Sequence, residues 1–226
     1  MSGGVRASLI CRAILFDLDG VLADSAAVVE RSWRAWAERV GLEPDGLLRA
    51  VHGRRAVDTV REQRPALDAD AELAWLIDLE SRDTEGITAI PGAAALLAAL
   101  PWRQWGVVTS GVRAVALARL AAVGLPEPPL LVAADEIRLG KPHPEGYLTA
   151  AARLGVTPAD CVVVEDAPAG AAAARAAGMR LVAVTTSYPA AEFADADLVV
   201  PDLAALALRV EPGEAGGAAT LVLAAA

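Results

Sequence analysis

Two segments of this sequence carry paired carboxylates directly after apolar runs. Asp17 and Asp19 follow the run 13–16 (AILF), and Glu165 and Asp166 end a second apolar run. Carboxylates beside a buried strand are costly unless they face a ligand or a cation. Two such pairs at neighbouring strand ends would also repel each other, and a hard divalent cation removes that repulsion. Mg²⁺ suits carboxylate, water and phosphate oxygens, so the pattern favours a Mg²⁺ site.

Two further segments offer groups that could bind an anion. Thr109, Ser110 and Gly111 end another apolar run and lead into a predicted helix, where hydroxyls and free N–H groups form an anion site. Lys141 is the single lysine among 20 basic residues and lies between a glycine and a proline. The proline stiffens this loop, and a compact ammonium suits a position where a guanidinium fork would not fit.

The apolar runs and the segments between them indicate the fold. Runs that are apolar throughout are typical of parallel strands covered on both faces. Such runs stand at the start of six segments: 13–16, 105–111, 130–136, 161–170, 180–186 and 197–200. Helical stretches separate them, at 92–100, 112–123, 144–155 and 168–177. This alternation predicts an α/β fold with a doubly wound, mostly parallel, Rossmann-like sheet. Ligands bind beyond the carboxyl ends of such strands, so the four polar segments should meet in one crevice. Taken singly, each segment would also fit an ordinary turn, helix cap or loop.

The stretch from about residue 25 to 90 interrupts the alternation. Apolar residues spaced by 4, 3 and 4 mark one face of a helix: Val29, Trp33, Trp36 and Val40. We predict a small helical cap domain at 25–91, inserted into an α/β catalytic core formed by 1–24 and 92–210. Residues 211–226 are predicted to be a C-terminal tail, in which ATLVLAAA could dock as an edge strand.

Composition restricts the partners and the compartment. The 226 residues are 55% hydrophobic and carry a net charge of −9, which argues against nucleic acid and against an anionic membrane surface. No apolar run reaches the 18 residues or so of a membrane span. Cys11 and Cys161 lie far apart and are expected to be reduced thiols of a cytoplasmic protein. No feature of the sequence indicates an oligomeric state.

The four polar segments together resemble the motifs of the haloacid-dehalogenase-like hydrolase superfamily, in the same order, between residues 13 and 186. The motif residues are Asp17-x-Asp19-Gly20, Thr109-Ser110-Gly111, Lys141-Pro142 and Glu165-Asp166. A closer resemblance is to its helical-cap sugar and polyol phosphate phosphatases, of the hexitol, deoxyglucose-phosphate and glycerol-phosphate type. It is carried by Trp33, Trp36, His52-Gly53, the run 84–88, Pro91-Gly92, the Thr109 segment and the run 165–170.

The resemblance implies a Mg²⁺-dependent phosphatase that works through an aspartyl-phosphate. Asp17 would attack the phosphorus, since a carboxylate is a good leaving group and the intermediate can turn over. Asp19 would protonate the departing alkoxide and then activate water. Mg²⁺ would bind the carboxylates of Asp17 and Asp166 and the carbonyl of Asp19, with Glu165 beside these ligands.

The resemblance also implies which residues hold the substrate, a small phosphorylated sugar or polyol. The phosphate would be bound by Thr109, the N–H groups of Ser110 and Gly111, and Lys141. These groups grip only the phosphate, so the cap must recognise the rest of the molecule. The candidates there are His52, Gly53 and Arg54. Hinges near 23–25 and 87–91 would let the cap close.

Two alternatives share part of this pattern. Sugar-phosphate mutases of the same superfamily carry all four motifs, but they have a histidine twelve positions after the nucleophile, where this chain has Val29. Phosphoacceptor signalling domains also use acidic residues, Thr or Ser, and Lys on a doubly wound sheet. They are about half this length, and they lack the cap and the second aspartate.

Overall fold

The structure is a computed structural model that describes residues 8–51, 53–213 and 218–226. The strands are β1 (Ser8–Cys11), β2 (Ala13–Phe16), β3 (Ala23–Asp24), β4 (Thr88–Ala89), β5 (Trp105–Val108), β6 (Leu131–Val132), β7 (Cys161–Glu165), β8 (Arg180–Val184), β9 (Leu198–Val200), β10 (Leu206–Glu211) and β11 (Thr220–Ala225). The helices are α1 (Ala26–Val40), α2 (Pro44–Val51), α3 (Ala56–Gln63), α4 (Ala69–Arg82), α5 (Ala93–Ala99), α6 (Arg113–Ala122), α7 (Glu145–Leu154) and α8 (Pro168–Ala176). Within the described ranges, no helix has the length and apolar character needed to cross a membrane.

A six-stranded parallel sheet lies at the centre, in the order β6-β5-β2-β7-β8-β9. All residues of β2, β5 and β7 are buried, as expected for strands covered on both faces. Helices α5 and α6 contribute to the apolar cluster on one face, and α7 and α8 to the cluster on the other. The predicted α/β fold with a doubly wound parallel sheet is therefore confirmed. Because β2 lies between β5 and β7, the residues that follow these three strands are neighbours.

The segment between β3 and β4 forms four helices, α1 to α4, with an apolar cluster of their own. Trp33 and Trp36 lie in that cluster with their rings edge to face, 5.4 Å apart between centroids. The indole Nε1 of Trp36 donates to Glu72 of α4 at 2.9 Å. The helical face predicted from the spacing of apolar residues is thus the buried face of α1. The antiparallel pair β3–β4 joins this four-helix segment, called the cap below, to the rest of the chain at residues 23–24 and 88–89.

A second, antiparallel sheet contains both ends of the described chain, in the order β1-β11-β10. β11 is its middle strand, pairing Leu223 with Leu9 of β1 and with Leu208 of β10. Residues 220–225 therefore do not form an edge strand, and they are integral to the core because Leu221 and Leu223 are fully buried. The sequence analysis missed β10, and it missed β1, whose partner strand lies more than 200 residues away in the chain.

Both cysteines are buried free thiols, as predicted. Burial raises the pKa of Cys11 to about 12 and that of Cys161 to about 11, so both thiols stay protonated at neutral pH.

Candidate active site

Asp17 lies immediately after the central strand β2. Its backbone N–H donates to the carbonyl of Val164 at 3.0 Å, so the pairing of β2 with β7 continues one residue beyond β2. The Asp17 residue is only 4% exposed, and Oδ1 accepts a hydrogen bond from Nζ of Lys141 at 2.8 Å. The strand pairing thus presents this carboxylate at the carboxyl edge of the sheet, with Lys141 as its cationic partner.

Lys141 lies between two carboxylates. Its Nζ donates to Oε1 of Glu165 at 2.6 Å as well as to Asp17. Burial disfavours the ammonium, but the charges of Asp17 and Glu165 outweigh it and raise the pKa of Lys141 above its ordinary value. The side chain therefore stays charged inside the core, where it links the loop after β6 to the ends of β2 and β7.

Both oxygens of Glu165 are bound by groups of the protein. Besides Lys141, the hydroxyl of Tyr147 donates to Oε1 at 2.7 Å, and the backbone N–H groups of Asp166 and Ala167 donate to Oε2. A Cβ at Gly170 would lie 1.7 Å from Oε1, so only glycine leaves room for this carboxylate. Sequence analysis did not identify Tyr147. The available signal was an aromatic residue six positions after Lys141, at the start of an alanine-rich helix.

The ends of β2 and β7 bring three buried carboxylates together. Oxygens of Asp17, Glu165 and Asp166 all lie within 4.8 Å of one another. Burial raises the pKa of Asp17 to about 7; the charge of Lys141 opposes this effect and that of Glu165 adds to it. Burial also raises the pKa of Asp166, and the charges of Glu165 and Asp17 raise it further. A divalent cation would favour the ionised forms of these groups, so this donor set fits one.

Thr109, Ser110 and Gly111 occupy the turn between β5 and α6. Ser110 and Gly111 line the same cavity as Asp17. The hydroxyl of Ser110 donates to the carbonyl of Gly53 in the cap at 2.8 Å. The N–H of Gly111, predicted to bind phosphate, donates instead to Oγ1 of Thr109 at 3.0 Å. The side chain of Ser110 therefore connects this turn to the cap, and the side chain of Thr109 forms a hydrogen bond within the turn.

Asp19 and Gly20 lie in the turn that leaves β2. Oδ1 of Asp19 accepts a hydrogen bond from Oγ of Ser25 at 2.5 Å and forms an ion pair with the guanidinium of Arg119 at 2.7 Å. Gly20 has a φ of +78°, and a Cβ there would lie 1.9 Å from Oδ2 of Asp166. The glycine of the DLDG segment is thus required both by its backbone conformation and by the close approach of Asp166.

Arg119 is a functional candidate that sequence analysis missed. It lies on α6, is 3% exposed, and also contacts Glu80 of α4 at 2.7 Å. A signal was present in the sequence, because Arg119 falls on the same helical face as Val115 and Ala116, where an apolar residue is expected. An arginine on the buried face of a helix needs partners, and here they come from the core and from the cap.

A cavity of about 100 Å³ lies between the core and the cap. The cap side of its wall includes Val29, Trp33, Gly53, Arg54 and Glu80. The predicted cap residues Gly53 and Arg54 thus face the cavity that Asp17 lines, and Arg54 is also paired with Glu62 at 2.7 Å. The third, His52, lies outside the described residues.

Comparisons with known proteins show which family the chain belongs to. A family model described as haloacid dehalogenase-like hydrolase matches residues 11–178. The chain is 42% identical over 207 residues to hexitol phosphatase A of Escherichia coli (strain K12), a match that covers 89% of this chain and 96% of that protein. It is 30% identical over 214 residues to beta-phosphoglucomutase of Bacillus subtilis (strain 168), covering 88% and 93%. A solved structure of a hydrolase from Pseudomonas syringae matches with a TM-score of 0.76 at 25% identity, covering 85% of this chain and 94% of that one. This chain belongs to the haloacid dehalogenase-like hydrolase family.

Proposed function

We propose that this protein is a Mg²⁺-dependent cytoplasmic phosphatase that hydrolyses small sugar or polyol phosphate monoesters through an aspartyl-phosphate on Asp17. The observation that carries the proposal is the position of Asp17. It is a buried carboxylate, hydrogen-bonded to Lys141 and within 4.8 Å of Asp166, and it lines a cavity whose wall includes residues of the cap. The high identity to a hexitol phosphatase over nearly the whole chain supports the same substrate class.

The chemistry follows from the residues around that cavity. Asp17 attacks the phosphorus, so that a bond from its carboxylate to phosphorus forms while the bond to the substrate oxygen breaks. Asp19 gives a proton to that departing oxygen. Asp19 then takes a proton from a water molecule, which attacks the phosphorus and releases inorganic phosphate and free Asp17.

The remaining motif residues hold charge in place during these steps. Bound Mg²⁺, held by the carboxylates of Asp17 and Asp166 and the carbonyl of Asp19, would supply neutralisation of the phosphoryl charge. Lys141 orients the Asp17 carboxylate and favours its ionised form, and Glu165 keeps Lys141 in position. Thr109 and the N–H groups of Ser110 and Gly111 are proposed to bind the phosphoryl oxygens, for which the N–H of Gly111 must leave its intramolecular hydrogen bond.

The cavity favours a small, hydroxylated substrate. Trp33 offers an apolar wall, and Arg54 offers donors for hydroxyl groups. Recognition by the cap, through Arg54, Gly53 and His52, would then determine which sugar or polyol phosphate is used.

A mutase function is the alternative within the family, and one of the relatives is named as a mutase. Val29, at the position where the resemblance predicts a proton-handling histidine, lines the cavity with an aliphatic side chain. Transfer of a phosphate between two hydroxyls of one sugar would lack that proton carrier here. A phosphoacceptor signalling role is disfavoured by family membership and by the four-helix cap, neither of which such a domain has.

Phosphate release from a panel of sugar, polyol and aryl phosphates, measured with Mg²⁺, tests the proposal. We expect sustained turnover of at least one small sugar or polyol phosphate and none by Asp17→Asn. Conversion of a hexose 1-phosphate to its 6-phosphate without phosphate release would support the mutase instead. A single labelling event without turnover would indicate a phosphoacceptor.

A further inference from the structure

A buried arginine bridges the core and the cap beside the proposed acid–base residue. The NH1 group of Arg119 lies 2.7 Å from Oδ1 of Asp19, and its NH2 group lies 2.7 Å from Oε2 of Glu80. Asp19 belongs to the core and follows β2, whereas Glu80 belongs to α4 of the cap. Both carboxylates and the arginine line the cavity that Asp17 also lines.

The geometry restricts the orientation of Asp19. Arg119 and Ser25 both bind the same oxygen, Oδ1, and approach it at 2.7 and 2.5 Å. Two contacts on one oxygen restrict the rotation of the carboxyl group about its side-chain bonds. The other oxygen, Oδ2, is then the one that can exchange a proton with the substrate or with water. One bound oxygen and one free oxygen suit a carboxyl group that must act first as an acid and then as a base.

The contact with Glu80 makes this orientation dependent on the cap. A guanidinium in a nearly dry site needs compensation on each of its edges, since desolvation of an unpaired charge is costly. Asp19 forms an ion pair with one side of the Arg119 guanidinium. Glu80 forms an ion pair with another side, but only while α4 lies against α6. Nε of Arg119 is buried and has no hydrogen-bond partner among the described residues. The ion pairs with Asp19 and Glu80 therefore balance the cost of burying the guanidinium charge.

We propose that Arg119 is a positioning residue that holds Asp19 in its proton-transfer orientation, and that Glu80 completes this arrangement when the cap is closed. This inference rests on the proposed function, in which Asp19 protonates the leaving group. The arrangement ties acid catalysis to a closed, water-poor cavity. When the cap opens, Arg119 loses Glu80 as a partner, and its contact with Asp19 is no longer supported from the side of the cap.

The test compares leaving groups that need protonation with one that does not. An alkoxide from a sugar or polyol phosphate needs the proton, whereas p-nitrophenolate leaves without it. We expect Arg119→Gln to lower kcat about 100-fold on the alkyl ester. On p-nitrophenyl phosphate the same variant should lose less than tenfold, with KM unchanged. Arg119→Lys should recover part of the loss on the alkyl ester, and Glu80→Gln should show the same selectivity with a smaller loss.

Arg82→Gln is the matched control, because it removes an arginine from an exposed ion pair with Asp78 on the same cap helix as Glu80. It should change neither rate. Equal loss on both substrates in the Arg119 and Glu80 variants would overturn the proposal and indicate a purely structural role. If thermal unfolding shows that Arg119→Gln does not fold, Arg119→Lys and Glu80→Gln decide the question. For these two variants, the loss of kcat on the alkyl ester is compared with the loss on p-nitrophenyl phosphate.

The substrate range of the wild-type enzyme shows whether a failure concerns this inference or the proposed function. If it hydrolyses aryl phosphates but no sugar or polyol phosphate, the proposed substrate class is wrong. The loss of kcat in the variants is then compared between phenyl phosphate, whose leaving group is more basic, and p-nitrophenyl phosphate. Selectivity for the more basic leaving group would still support Arg119 as the positioning residue, and its absence would overturn that role.

Discussion

Nζ of Lys141 lies 2.8 Å from Oδ1 of Asp17, although 124 residues separate them in the chain. The same ammonium binds Glu165 at 2.6 Å, so one cation joins three separate segments at the carboxyl edge of the sheet. A chain with 20 basic residues thus places its single lysine where a compact charge must fit between two buried carboxylates.

Replacing Lys141 should therefore damage both stability and activity. Lys141→Met leaves Asp17 and Glu165 buried without their cation, which should cost about 3 kcal/mol in the free energy of unfolding. Lys141→Arg keeps the charge but not the size, and it should lower kcat at least 100-fold with a smaller loss of stability. Urea unfolding and phosphate release measure the two effects. Arg138→Lys, an exposed position in the same loop, is the control, and equal behaviour of both positions would refute the role of Lys141.

Asp17→Asn should abolish hydrolysis while the fold stays intact, because a near-isostere fills the same space without its nucleophilic charge. Asp19→Asn should be nearly as severe on alkyl phosphates, since it removes the acid and base. Rates are compared with the wild type at saturating substrate, and circular dichroism checks the fold. Retention of more than about a tenth of the wild-type rate by Asp17→Asn, a barrier change below ~1.4 kcal/mol, would mean that Asp17 is not the nucleophile.

The stability of the metal-free protein should depend on pH through Asp17. Its pKa is about 7 in the folded protein, against an ordinary value near 4, so the folded state binds this proton more tightly than the unfolded chain. Wild-type stability relative to Asp17→Asn should then fall as pH rises from about 4 to about 7, and level off above that. At pH 8 the variant should be more stable by on the order of 4 kcal/mol.

Urea unfolding of both proteins across pH 4 to 8, in the presence of a chelator, measures this difference. Addition of Mg²⁺ should reduce or reverse it, because a cation that binds the ionised carboxylates stabilises the wild type by mass action. A difference that grows in the opposite direction would show that Lys141 outweighs burial at Asp17.

Turnover should require a divalent cation. Oxygens of three carboxylates lie within 4.8 Å of one another, and Lys141 pairs with two of these groups, so a divalent cation is needed to keep all three ionised beside an entering phosphate. Exhaustive treatment with a chelator should abolish phosphate release, and added Mg²⁺ should restore it. Undiminished activity after chelation would exclude the metal from the mechanism.

The cap should determine the choice of substrate. Arg54→Ala and His52→Ala should each change the ranking of sugar and polyol phosphates, with a loss of ~1–3 kcal/mol in kcat/KM for the preferred one. p-Nitrophenyl phosphate offers no hydroxyls, and its hydrolysis should change much less. Glu62→Ala removes the ion-pair partner of Arg54 while keeping Arg54, and it is the control for Arg54→Ala. The same loss on every substrate would place the specificity site elsewhere in the cap.

The parts of the structure that follow local rules could be predicted from the sequence. Strands covered on both faces read as continuous apolar runs, and 13–16 and 161–165 are indeed buried throughout. Trp33 and Trp36 lie on the buried face of α1 because a helix repeats every 3.6 residues. The candidate motifs could be placed at one edge of the sheet because parallel strands all end there.

Contacts between segments that are distant in the chain could not be predicted in this way. The sequence alone determined that the chain is an α/β protein with an inserted helical segment, and which polar residues follow its strands. Only the tertiary structure decided that Leu223 lies in a middle strand, that Tyr147 binds Glu165, and that Arg119 connects Asp19 to Glu80. Periodicity records which face of an element is buried, because burial repeats along the element. It does not record which distant element covers that face, since this depends on how the cap and the core pack together.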